Sequence, residues 1–237
     1  GTRLLRQPSI SQQLIAFEYG ADIWVVDKKG GDARRITSTA AVESNPHLSP
    51  DGKTIAFSSN RASGTQVYTV SVSGGAPVQL TWNSEASLVR GWTPDGKKIL
   101  YACARETAPT DYNRLWTVSA NGGASTLLPS PFAFSGSYSP DGKKMAIDRV
   151  SRWDVEWRNY RGGQNTPLQI IDLATLAEVN IPSDKTMELR PVWAGDEIFF
   201  LSDRDWISNV WSFNTKTSSL QQRTKLKGSD VKWVDAS

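Results

Sequence analysis

The residue types able to do chemistry are few and unevenly spread along the 237 residues. There is a single histidine, His47, and a single cysteine, Cys103. A serine hydrolase of the triad type needs an imidazole base beside an exposed serine, oriented by an acid. His47 instead precedes Leu48 inside a strand-like run, and no Gly-x-Ser-x-Gly elbow occurs. Cys103 closes the apolar run Ile99-Leu100-Tyr101-Ala102-Cys103, the setting of a buried small hydrophobe rather than a nucleophile. One histidine and one cysteine far apart do not make a zinc site, and no glycine-rich phosphate loop leads into a helix. The expectation is a chain without catalytic residues, metal site or cofactor. What does recur is arginine. Arg61, Arg105 and Arg204 stand at equivalent places of a repeat, with Arg152 one place late. A row of guanidinium groups on one rim would attract peptide carboxylates, unless each bonds within its own unit. A second cluster lies in 151–167, where Arg152, Trp153, Trp157, Arg158, Tyr160 and Arg161 fall within ten residues. Aromatic side chains mixed with arginine are the composition of interface anchors.

These residues must be positioned by the element that repeats. Its clearest copy is Asn45–Arg61, centred on Ser49-Pro50-Asp51-Gly52. Proline presets φ at the first corner, aspartate bonds nearby backbone, and glycine supplies the left-handed residue that closes a hairpin. The block returns as Thr93-Pro94-Asp95-Gly96 and Ser139-Pro140-Asp141-Gly142, decayed as Ala194-Gly195-Asp196, and without its turn motif at Pro8–Phe17. Taking Ile15, Ile55, Ile99, Met145 and Ile198 as equivalent, the steps are 40, 44, 46 and 53 residues. Each block is followed by a third strand bearing Trp24, Tyr68, Trp116 or Trp211 in four of the five copies, then a polar turn and a fourth strand. Four strands per unit of this length is the arithmetic of a β-propeller blade. The chain therefore reads as all-β, a propeller of four-stranded antiparallel blades at 4–38, 45–82, 89–129, 135–182 and 189–226. The first strand of a sixth blade is placed at 229–237. This would leave an open arc in a six-bladed parent domain.

The arginines fall in the loop joining the second and third strands of each blade, and 151–167 is an insertion into that loop of the fourth. Large residues precede each turn: Leu48, Trp92, Tyr138 and Trp193, with Ile10 and Trp233 fitting the same slot. Broad side chains there would fill the wedge between neighbouring sheets. The net charge of +3 is a solvated basic surface, too small for a nucleic-acid footprint. No stretch is long and apolar enough to span a bilayer.

The repeat resembles the WD-like propeller repeat shared by TolB-type proteins and tricorn-like proteases. TolB-type proteins carry an α/β domain ahead of the propeller, whereas only about seven residues precede the first strand here. The opening Leu4–Ser11, running into Ile15-Ala16-Phe17 and Asp22–Val26, resembles the start of tricorn-like proteases, as does Tyr160-Arg161-Gly162-Gly163. That resemblance implies the N-terminal propeller of a serine peptidase whose catalytic parts lie elsewhere. It implies a role in gating or channelling peptides, and partners among the remaining domains or subunits of the parent, with homo-oligomerisation. It leans to an exported or periplasmic parent over a cytoplasmic one. The rival is a free-standing, TolB-like propeller that scaffolds other proteins.

Overall fold

A computed structural model describes residues 4–149 and 159–237. Five four-stranded sheets are present, each antiparallel with its strands in sequence order. The blades comprise, in order of strands, Arg6–Ile10, Leu14–Tyr19, Asp22–Asp27 and Arg34–Arg35 for the first, then Glu43–Leu48, Thr54–Ala62, Gly64–Ser71 and Val78–Gln79 for the second. The third has Leu88–Trp92, Lys98–Cys103, Arg114–Ser119 and Thr126–Leu127. The fourth has Ser135–Tyr138, Lys144–Asp148, Gln169–Asp172 and Glu178–Asn180, and the fifth Glu188–Ala194, Glu197–Ser202, Asn209–Asn214 and Leu220–Gln222. The chain divides into two compact units, Gly1–Leu128 with blades one to three and Pro129–Ala236 with blades four and five.

The Pro-Asp-Gly turns form as their chemistry dictates. In blade two the Ser49 hydroxyl donates to Asp51 Oδ1 at 2.6 Å and accepts the Thr54 amide at 3.0 Å. The Gly52 amide closes the turn onto Ser49 O at 2.8 Å, with φ +69°. Thr93 and Asp95, then Ser139 and Asp141, repeat the arrangement. The hydroxyl and amide bonds hold all three aspartates below the ordinary carboxylate pKa of 3.8. Blade five replaces this turn with Gly195-Asp196 between paired Ala194 and Glu197, Gly195 taking the positive φ.

The large residues before the turns pack between blades. Leu48 of blade two joins Ala16, Ile23 and Val25 of blade one in one buried cluster. Trp92 of blade three packs on a cluster that contains Ala56, Val67 and Leu80 of blade two, and its indole donates to His47 O at 2.9 Å. In the second unit Trp193 lies against a cluster with Ala146, Leu168 and Ile181 of blade four. Two backbone bonds also link successive blades of the first unit: Glu43 N to Ala21 O at 3.0 Å, and Ser87 N to Thr65 O at 2.8 Å. Serine hydroxyls add a second tie: Ser9 Oγ accepts the Leu48 amide and, in the other unit, Ser137 Oγ accepts the Trp193 amide.

Residues 231–237 form no strand. Val231 N nevertheless donates to Ser208 O at 2.8 Å, and the Trp233 ring lies 5.9 Å from the Arg190 guanidinium.

Candidate functional site: the loop ends of the blades

In blades two and five the second strand carries an aromatic, followed two places on by a serine and two places further by an arginine. In blade two these are Phe57, Ser59 and Arg61. The Arg61 side chain folds back over Phe57 and over Tyr68 of the third strand, 5.5 and 4.9 Å from the ring centroids. Its Nε donates to Ser59 Oγ at 3.2 Å, and Nη2 is ion-paired with Glu43 at the start of the inner strand. Glu43 is fully buried, and its other carboxylate oxygen has no partner among the described residues. Blade five repeats the set with Phe200, Ser202, Arg204 and Trp211, Glu188 taking the acid's part. Burial pushes the Glu188 carboxyl above its ordinary range, against the pull of Arg204.

Blade three keeps the arginine and loses the acid. Arg105 stacks on Trp116, 3.5 Å from guanidinium carbon to ring centroid. Ser87 stands where Glu43 and Glu188 stand, five residues before the inter-blade packing residue. The Arg105 Nη1 donates to Asn83 Oδ1 at 2.9 Å, and Asn83 Nδ2 donates to Ser87 Oγ at 2.7 Å. Cys103 is buried beside them, its Sγ 3.9 Å from Glu85 O, and burial raises its pKa.

Of the cluster at 151–167, Arg152, Trp153, Trp157 and Arg158 lie outside the described residues. Tyr160 and Arg161 are described, and Arg161 reaches blade five: Nη1 bonds Asp203 Oδ2 at 2.9 Å and Nη2 bonds Asp203 O at 3.0 Å. The same guanidinium lies 4.9 Å from the ring of Trp206, which is 65% exposed. A Cβ at Gly162 would overlap the Tyr160 ring where it lies, so a side chain there would require that ring to turn aside.

The inner strands of the first unit hold polar side chains that the repeat pattern did not single out. Gln7 and Asn45 have φ of +48° and +51° at bulges in the inner ladders. Gln7 Oε1 accepts the Asn45 amide, and Asn45 Oδ1 accepts Arg90 Nη1 at 3.2 Å. Their sequence signal is faint: a polar residue three places before the packing residue for Gln7 and Asn45, and two places before it for Arg90. Among the described residues no three metal-ligating side chains gather, and no helix is long and apolar enough to cross a membrane.

A family model described as the tricorn protease N-terminal beta propeller domain matches residues 2–237. Over 231 residues the chain is 30% identical to tricorn protease homolog 1 of Streptomyces coelicolor, covering 94% of this chain and 21% of that protein. It superposes on the crystal structure of the tricorn protease with a TM-score of 0.81 at 26% identity, over 94% of this chain and 22% of the other. A TolB structure from Agrobacterium tumefaciens gives 0.75 at 18% identity over 92% of this chain and 80% of the other, a likeness of fold alone. The chain thus spans about a fifth of the length of the first of these relatives.

Proposed function

The chain belongs to the tricorn protease N-terminal β-propeller domain family, and on that premise we propose that it is the non-catalytic propeller of a tricorn-like serine peptidase, gating or channelling peptides and supporting assembly. The observation that carries this reading is the family match across residues 2–237. The row Gln7, Asn45 and Arg90 supports it, because a passing peptide would meet amide and guanidinium groups able to bond its backbone and its carboxylates. Arg61, Arg105 and Arg204 belong to the proposed cationic rim; the carboxylates on Arg61 and Arg204 leave Arg105 as its strongest member. The insertion with Arg152, Trp153, Trp157, Arg158, Tyr160 and Arg161 is read as the docking element toward other domains or subunits of the parent. Within its described part, Arg161 bonds Asp203 of blade five.

We also read 229–237 as the opening of a sixth blade. The bond from Val231 N to Ser208 O has the place of those from Glu43 and Ser87 to the preceding blade. Counted from that bond, Ala236 takes the packing position of Leu48 and Trp92, and Trp233 takes that of Asn45.

The test uses the parent protease with Asn45→Trp and Arg90→Trp combined. Cleavage of long peptides should fall by about tenfold or more, while a chromogenic dipeptide substrate should be cleaved as before. Unchanged cleavage of both would remove the gating role and favour a scaffold.

A further inference from the structure

Blade three differs from blades two and five in one place, and the difference leaves a cation unanswered. Arg61 and Arg204 each meet a buried carboxylate of their own blade. Arg105 has the same place in its strand and an aromatic partner, yet among the described residues no carboxylate pairs with it. Among those residues its one hydrogen-bond acceptor is the neutral amide oxygen of Asn83. Its Nε is out of contact with water and has no acceptor among them. Stacking on Trp116 stabilises the guanidinium without neutralising it.

The surroundings are held firmly. The Asn83 backbone is clamped by Gln66, whose Oε1 accepts the Asn83 amide at 3.0 Å and whose Nε2 donates to Asn83 O at 2.7 Å. Gln66 is itself buried and also accepts the Thr81 hydroxyl at 2.8 Å. Asn83 then bridges Arg105 and Ser87. Next along the chain stands Trp82, which is 71% exposed, and Tyr112 on the loop of the same blade is also exposed. A partly exposed arginine and a fixed amide, on segments that also carry exposed aromatic side chains, suit a carboxylate carried on a peptide, while the fully buried Ser87 hydroxyl serves to hold Asn83.

We propose that Arg105 and Asn83, braced by the buried Ser87, form a carboxylate-binding site for an acidic peptide side chain, which answers Arg105 as Glu43 and Glu188 answer the arginines of their own blades. The inference stands on the contrast between blades and does not require the gating role.

The test titrates the 237-residue chain with a short peptide, capped at both ends, carrying one glutamate, and with its glutamine counterpart. The glutamate peptide should bind saturably, and the glutamine peptide about tenfold or more weakly. Arg105→Gln should abolish the binding. Ser87→Glu supplies an internal acid of the kind blades two and five already hold, so it should fold, raise the melting temperature and exclude the peptide. Acetate should compete, but with lower affinity than the peptide. Absence of saturable binding, equal binding of both peptides, or binding kept in a folded Ser87→Glu protein would overturn the site. Binding of acetate without the peptide would overturn its assignment to peptides.

Discussion

The two ends of a single blade obey different rules. At the turn end, blades two, three and four repeat one hydrogen-bond set to within a tenth or two of an ångström. Every group there is satisfied by a neighbour a few residues away, so the end is self-contained and can be copied. At the loop end, blades two and five share an arginine, an acid and two aromatics, while blade three has exchanged the acid for Ser87. Its partners come from segments far apart in sequence, so each can be altered separately. Local closure keeps the turn end alike in blades two to four, although blade five has replaced it; long-range closure lets the loop end of blade three change one partner and keep the rest.

The comparison is broken most directly at the arginines. Arg61→Ala leaves Glu43 buried with an uncompensated charge and should cost about 3–5 kcal/mol in denaturant unfolding. Arg105→Ala abandons no carboxylate and should cost about 1–2 kcal/mol. Equal costs would mean that the acid contributes little and that the two loop ends are energetically alike.

A smaller effect is expected at the turns. Gly52→Ala and Gly96→Ala each place a side chain at a positive φ, +69° and +67°, for about 1–2 kcal/mol. The Gly52 change should be the worse of the two. Its Cβ would come within 3.3 Å of Ser11 Oγ, whereas that of Gly96 meets Pro50 at an ordinary 3.5 Å. A reversed order by calorimetry would show that the contact with Ser11 relaxes freely.

The smallest effect is one of pH. Asp51, Asp95 and Asp141 titrate below 3.8 in the folded chain, so their contribution is present above that value and is lost as pH falls through the lowered range. Replacing all three by asparagine should flatten the fall of melting temperature between about pH 5 and pH 3. An unchanged slope would assign acid sensitivity to other groups.

The turn end was legible in the sequence for the same reason that it repeats. Proline, aspartate and glycine sit next to one another, and their backbone demands need no tertiary context. The role of Trp92 and Trp193 as wedges between blades followed from their place before the turn. The arginines were legible as a series, but not their attachments. Glu43 lies 18 residues before Arg61, across a hairpin whose length differs between blades. A glutamate five residues before the packing residue in two blades was the available sign. The left-handed bulges at Gln7, Asn45 and Arg190 leave no mark in the sequence because these residues are not glycine.

The bonds that tie Glu43 to Ala21 and Ser87 to Thr65 bear on the order in which the chain is made. In each case the acceptor lies in a blade already synthesised, and the donor opens the next. Every strand pairs with a neighbour adjacent in the sequence, so each ladder closes only a short loop. On a ribosome a finished blade can therefore receive the first strand of its successor as that strand emerges, before the three strands that follow have been translated. Growth proceeds like laying courses of brick, and the wedge residues Leu48 and Trp92 arrive with the strand that needs them.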